Sequence, residues 1–365
     1  MCAAEDIFDE IAKAKGARRY TYEGELIIEL RNHARRYAAA SLEWETTKAG
    51  TPLVYVDIVD SASLNAFASY RDGQDFIGIN KGVAELVRSL FYKLLTLEDV
   101  FPEIGDPTGL EIGEPTGLWS SLPRDTTQVG VPLSPPQDEE RKYLAERLTQ
   151  FAYDFLIAHE LAHVRHGHTR LSEISSTFEI DELEQSSSAT VSEEEGITKQ
   201  TAEMDADAFA TAQGLANLFN CSEKNDRLGL LLRDKDKAIE YWFFAIYGLL
   251  RLFAPDPVDL SRLANATHPP ARVRQMWIIQ TALTLCHEGA LAYDFGKLTD
   301  IAFTTASYLD TCIAKIAPND PDENTLLTAQ DPMVDEHLGR LLNKWCELRL
   351  ELEPVCHVTN LTPCL

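Results

Sequence analysis

The stretch FLIAHELAHVRHGH, Phe155 to His168, constrains this chain more than any other. It closes an apolar run in which Leu144, Leu148, Phe151, Phe155, Ala158 and Ala162 recur at spacings of 4, 3, 4, 3 and 4. That period makes an amphipathic helix with one apolar face. Ser134, Pro135 and an acidic first turn suit its start, and Gly167 suits its stop. On such a helix His159 and His163, four apart, lie near one another and can meet one ion. Glu160 is offset by about 100° and can reach past that ion to a bound water.

Hydrolysis at zinc needs a third protein ligand and an open fourth position, whereas a closed set of four makes a structural site. The long form of the motif carries a third histidine at position 169, where Thr169 stands, and His168 misses by one. His166 shares the helix with His163, and three ligands on one continuous helix converge poorly on a tetrahedral ion. With Gly167 between them, His166 and His168 read as a helix end facing solvent. The better third ligand is Glu203, forty residues on, in Glu203-Met204-Asp205-Ala206-Asp207. Asp207 follows it at i+4 and suits an outer carboxylate that takes the second N–H of a ligating imidazole. Asp205 is expected to point elsewhere, into solvent. In a chain with 58 acidic residues, Glu203 and Asp207 could equally be ordinary surface acids.

Composition narrows the class. The 365 residues suffice for one large domain or two modest ones. A net charge of -25 repels nucleic acid and anionic membrane and favours solubility. Seven scattered cysteines without a CxxC argue against a disulfide framework and a cysteine zinc site, and imply a reducing cytoplasm. The N-terminus carries charges where a signal peptide needs an apolar core. The most apolar run, Tyr241 to Ala254, is too short for a bilayer span and contains Arg251, so it reads as a buried core helix.

Along the chain, residues 5–48 read as helical, Thr51 to Val59 as a strand, and NAFASYRDGQDFIGIN as a hairpin about Asp72-Gly73. Residues 102–136 contain GDPTGL repeated as GEPTGL and read as a long loop. Residues 171–198 are acidic and serine-rich and read as a second excursion. Helix resumes at about Lys199, covers roughly Lys235 to Phe253 and Pro270 to His287, and returns up to Leu352. The expected fold is mainly α with a small β-sheet. It divides into an N-terminal helical segment (1–50), a central domain (51–290) holding both excursions, and a C-terminal helical extension (291–365).

HELAHVRHGH followed by EMDADAFA resembles the gluzincin peptidases of the HExxH…ExxxD type, most closely the CAAX-prenyl-protease and heat-shock-protease family. DSASLNAFA with FIGINKGV, and THPPARVRQM, resemble two further elements of that family in the same order. The resemblance implies a zincin-like metallopeptidase domain in which His159, His163 and Glu203 hold one zinc ion and Glu160 is the general base. It implies that Asp207 lies behind the ligands, His268 stabilises the oxyanion and Arg274 ties carboxylates near the site. It makes Asn65, Ala66, Phe67 and Ala68 the edge strand along which a peptide docks. Members of the two named kinds carry transmembrane helices and this chain shows none, so a soluble cytoplasmic form is expected. Soluble phage-exclusion (Lit-type) peptidases are a looser analogy. The resemblance does not extend to residues 1–50, 102–136 or 290–365.

The reading that follows is a soluble zinc endopeptidase acting on an extended segment of a protein or peptide, with no nucleic-acid or membrane partner. A gated or catalytically silent sensor on the same scaffold is the alternative. A third possibility is that His159 and His163 are packed core histidines with no metal.

Overall fold

Strict alternation builds the sheet. In the computed structural model, which describes residues 3–22, 24–43, 54–106, 135–171, 180–181, 191–253, 260–316, 331–358 and 361, strand β1 (Val54–Val59) runs parallel to β3 (Gln74–Asn80), and β2 (Ala66–Arg71) runs antiparallel to β3. Asp72 (φ 53°) and Gly73 (φ 84°) make the two-residue turn between β2 and β3, the left-handed geometry that matches strand twist. A two-residue strand β4 (Ile180–Asp181) pairs with the other side of β2, Phe67 opposite Asp181 and Ala68 opposite Ile180. The order is β1-β3-β2-β4. Successive side chains point to opposite faces. Val56, Ile58, Ala66, Ala68, Ile77 and Ile79 enter the main core. Val59, Phe67 and Phe76 pack on the other face against Phe8 of helix α1 (Ala3–Ala14). Gly78 lets the Phe67 ring lie across the strand, since a Cβ there would stand 2.2 Å from Phe67 Cζ.

Helices α2 (Glu25–Glu43) and α3 (Lys81–Leu94) flank the sheet. The long helix α4 (Glu139–Arg165) packs against β2 and, along its length, against α5 (Glu193–Ser222). Asp138 caps α4 by accepting from the backbone N–H of Glu140 and of Arg141, 2.9 Å each. The buried Arg141 guanidinium donates to the carbonyls of Leu95, Leu97, Val100, Phe101 and Ile104, which satisfies the segment after α3. The remainder is helical: α6 (Arg227–Leu231), α7 (Lys235–Phe253), α8 (Ala271–His287), α9 (Phe295–Ile316) and α10 (Pro332–Leu352), with short 3-10 turns at His168–Arg170 and Leu260–Asn265. The mainly α, small-sheet fold expected from the sequence is the fold observed. Helix α7 is the buried core helix, with Tyr241 through Phe253 all buried. No helix among the described residues is long and apolar enough to cross a membrane.

Three features differ from expectation. Helix α5 begins at Glu193, not at Lys199, because Ser192 accepts from the Glu195 N–H at 3.2 Å and caps it. The second excursion is correspondingly shorter, and β4 comes from within it. Cys346 is disulfide-bonded, which the scattered cysteine spacing did not indicate. Cys221, Cys286, Cys312 and Cys356 are free thiols. The repeated GDPTGL and GEPTGL motifs lie, beyond Asp106, outside the described residues.

Candidate metal centre

Helix α4 presents His159 and His163 to α5, and both imidazoles are fully buried. His159 Nε2 and His163 Nε2 stand 3.1 Å apart. Glu203 of α5 places Oε2 at 3.2 Å from His159 Nε2 and Oε1 at 3.4 Å from His163 Nε2. The two ring nitrogens are 3.1 Å apart and each has one oxygen of the Glu203 carboxylate at 3.2 or 3.4 Å, separations close to the edges of a tetrahedron about 2 Å in radius, the metal–nitrogen and metal–oxygen distance of zinc. This group of buried side chains could hold a metal ion.

Hydrogen positions support the same conclusion. Asp207, one turn after Glu203, is 2.9 Å from His159 Nδ1 and accepts its proton. Arg274 of α8 donates to the same carboxylate from Nε at 2.8 Å and from a terminal nitrogen at 2.7 Å. Burial would push the Asp207 carboxyl up, but Arg274 and the His159 hydrogen bond hold it below the usual carboxylate range. With Asp207 ionised, His159 Nδ1 keeps its hydrogen, and in the neutral ring Nε2 offers a lone pair. That lone pair faces a second imidazole nitrogen and a carboxylate. Such a convergence of acceptors inside a protein calls for a cation. Burial, with the surrounding histidines, holds His163 well below its ordinary pKa, which keeps it in the neutral, ligating form.

Glu160 is fully buried beside the two histidines in sequence. His268 is the partly exposed member of the group: its side chain is 19% exposed, and Nε2 is 3.9 Å from Glu203 Oε1. Its Nδ1 lies 3.0 Å from the Thr267 hydroxyl. Gln200 of α5 braces the segment before it by donating to the carbonyls of Leu263 and Ala266, 2.8 Å each. Its side-chain oxygen accepts from His337 Nε2 of α10 at 2.8 Å. Ala66, Phe67 and Ala68 are buried in β2, and the carbonyl of Asn65 accepts from the Asn80 N–H at 2.9 Å. The structure therefore brings together His159, His163, Glu203, Asp207, Arg274 and His268 from α4, α5, α8 and the loop before α8. The other side of β2 at Phe67 and Ala68 is taken by β4.

The expectation for His166, His168 and Asp205 fails. All three are buried, and they form a second group whose ligand-capable atoms lie within 4.8 Å of one another. His166 Nδ1 is hydrogen-bonded to Asp205 Oδ2, and His168 Nε2 is 3.3 Å from the same oxygen. His168 Nδ1 is 2.9 Å from His163 Nδ1. Gly167 (φ 84°) turns the chain after α4, as the sequence indicated. What buries the turn is distant in sequence: the segment after α10, where a Cβ on Gly167 would stand 3.0 Å from Val355 and where the His357 N–H donates to the Arg165 carbonyl at 2.7 Å. At position 169 the Thr169 hydroxyl donates to Asp75 of β3 at 2.8 Å.

Among known proteins, a family model described as Peptidase U49 matches residues 120–286, less than half of the chain. No curated protein and no solved structure matches. The matched span runs from before α4 to the last turn of α8, and so contains every candidate ligand together with Glu160, Asp207, His268 and Arg274. The chain is similar to a family of peptidases over the part of it that carries the candidate metal centre.

Proposed function

We propose that this protein is a soluble zinc-dependent endopeptidase of gluzincin type, similar to the catalytic domains of the CAAX-prenyl-protease and heat-shock-protease family. The observation that carries this reading is the 3.1 to 3.4 Å triangle of His159 Nε2, His163 Nε2 and the Glu203 carboxylate, closed by an ionised Asp207 behind His159. His159, His163 and Glu203 would hold one zinc ion. Bound zinc supplies a Lewis acid that polarises the scissile carbonyl and acidifies a water.

Glu160 takes the proton of the attacking water and passes it to the leaving amine. Its burial beside the ligands favours proton transfer over solvation. His268, partly exposed, donates to the developing oxyanion, a role worth about 3 kcal/mol of barrier where measured. Arg274 fixes Asp207, which fixes the His159 ring. The substrate is an extended stretch of a protein or peptide, adding to β2 at Asn65 to Ala68 through main-chain bonds. The test is cleavage of an unfolded protein by wild type and by Glu160→Gln at equal zinc content. Zinc retained with cleavage lost supports the reading; cleavage at the wild-type rate overturns it.

One observation favours the gated alternative. Strand β4 pairs with β2 at Phe67 and Ala68, two of the positions assigned to substrate. A peptide adding there would displace Ile180 and Asp181, so the chain's own segment competes with substrate. Cleavage that appears only when β4 pairing is broken would support gating. Chelator-sensitive melting with no cleavage under any condition would support a silent scaffold.

A further inference from the structure

The second buried group of His166, His168 and Asp205 has the residue types of a metal site and lies against the first group. Whether it can take a cation is decided by where the hydrogens sit. The reasoning rests on the metal reading of His159, His163 and Glu203.

A neutral imidazole carries one hydrogen, on one of its two nitrogens. With a cation at the first centre, His163 Nε2 offers its lone pair, so its hydrogen is on Nδ1. The hydrogen-bond partner of that atom is His168 Nδ1 at 2.9 Å. His168 Nδ1 must therefore be the bare, accepting nitrogen, and its hydrogen is on Nε2. That nitrogen lies 3.3 Å from Asp205 Oδ2, at ion-pair distance but without the alignment of a hydrogen bond. A nitrogen that carries a hydrogen cannot ligate a metal. The sequence of donors ends on Asp205, an acceptor that also takes His166 Nδ1. His163 Nδ1 and His166 Nδ1 each have a hydrogen-bonded neighbour, His168 Nε2 has the Asp205 carboxylate at ion-pair distance, and all of them are buried.

We infer that His168 and Asp205 are positioning residues for the first centre: His168 accepts from His163 Nδ1, the Asp205 carboxylate beside Nε2 favours the tautomer with its hydrogen there, and no second metal ion binds there. His163 is thereby held in its ligating tautomer through an intervening imidazole, as His159 is held directly by Asp207. The arrangement assigns Thr169 and the turn at Gly167 a purpose, since they present His168 to His163 at a bonding distance. It also gives the C-terminal segment around Val355 and His357 a reason to cover the end of α4: water at His168 Nδ1 would compete for the same hydrogen.

The experiment uses the full-length chain loaded with zinc, with folding followed by near-ultraviolet circular dichroism. Zinc per chain is measured by elemental analysis and affinity by competition with a chromophoric chelator. Wild type is expected to hold one zinc. His168→Leu, which can neither accept nor donate, is expected to hold one zinc about 10- to 100-fold more weakly, the usual effect of losing an outer partner. His168→Gln, whose amide oxygen accepts and whose amide nitrogen donates, is expected to recover most of that loss. Asp205→Asn is close to isosteric and serves if His168→Leu does not fold; a several-fold weakening is expected. His166→Gln, outside the relay, is expected to keep both stoichiometry and affinity. Two zinc ions per wild-type chain, with one lost in His166→Gln, would overturn the inference and leave the first centre standing. Unchanged affinity in both His168→Leu and Asp205→Asn would do the same. No zinc in wild type would overturn the metal reading of the first centre and this inference with it.

Discussion

His159, His163 and Glu203 form one buried triad; His166, His168 and Asp205 form another, and the two touch through a single 2.9 Å contact. The residue types, the burial and the pair of parent helices are nearly the same. They differ in which atoms face inward. In the first triad two ring nitrogens and a carboxylate converge on one another, an arrangement that could hold a metal ion. In the second, one carboxylate sits at the focus and two imidazoles turn toward it, so hydrogens fill the need. Burial pushes the Asp205 carboxyl up, but His166 and His168 hold it far below its ordinary range; it is hydrogen-bonded to His166 and has His168 Nε2 at ion-pair distance. A cluster of histidine and acid is therefore a metal site only when its lone pairs meet.

The strongest way to break this contrast is to remove chemistry from one triad and leave its geometry. Glu160→Gln should lower the cleavage rate about 10²- to 10⁴-fold, the range for a general base, with zinc content unchanged. Next in size is the support of the first triad. Asp207→Ala removes the partner of both His159 and Arg274, two of them buried with it. It should cost about 3–5 kcal/mol in denaturant unfolding because the Arg274 charge is left uncompensated. Asp207→Asn should keep more stability and bind zinc about 10-fold more weakly. A smaller effect is expected at the substrate edge. Ile180→Pro removes a strand N–H opposite Ala68 and should raise peptidase rate several-fold if β4 competes with substrate. An unchanged or lower rate would argue that β4 is part of the working edge.

The smallest effect concerns the brace under His268. Burial, with Arg340 nearby, lowers the His337 pKa to about 4 from its ordinary 6.5. The unfolded chain thus binds the His337 proton more readily than the folded chain between those values. Stability from the neutral form is complete above about 6.5 and is lost as pH falls toward about 4. His337→Gln in metal-free protein should flatten the unfolding free energy over that window, and an unaltered slope would contradict it.

The sequence made one half of this contrast legible and hid the other. His159, Glu160 and His163 stand at helical spacing inside an apolar helix, and Glu203 and Asp207 repeat the i, i+4 step, so their faces follow from local period alone. The Asp72-Gly73 turn and the apolar run of α7 were readable for the same reason. His166 and His168 were misread because Gly167 does end the helix, and helix ends usually meet water. Here they meet the segment after α10, nearly two hundred residues later, and no local pattern encodes that. Strand β4 has only two residues in an acidic, serine-rich stretch and lacks any alternation to read. The start of α5 does carry a local signal, since Ser192 followed by Glu195 is a capping signature, but it stands in an acidic, serine-rich stretch whose composition indicates a loop.

The central claim is that a metal ion sits where lone pairs converge and nowhere else in this cluster. A crystal of the zinc-loaded protein, with an anomalous difference map recorded at the zinc edge, tests it most directly. One peak among His159 Nε2, His163 Nε2 and the Glu203 carboxylate is the expected result. A peak among His166, His168 and Asp205, or no peak at the first triad, would contradict it.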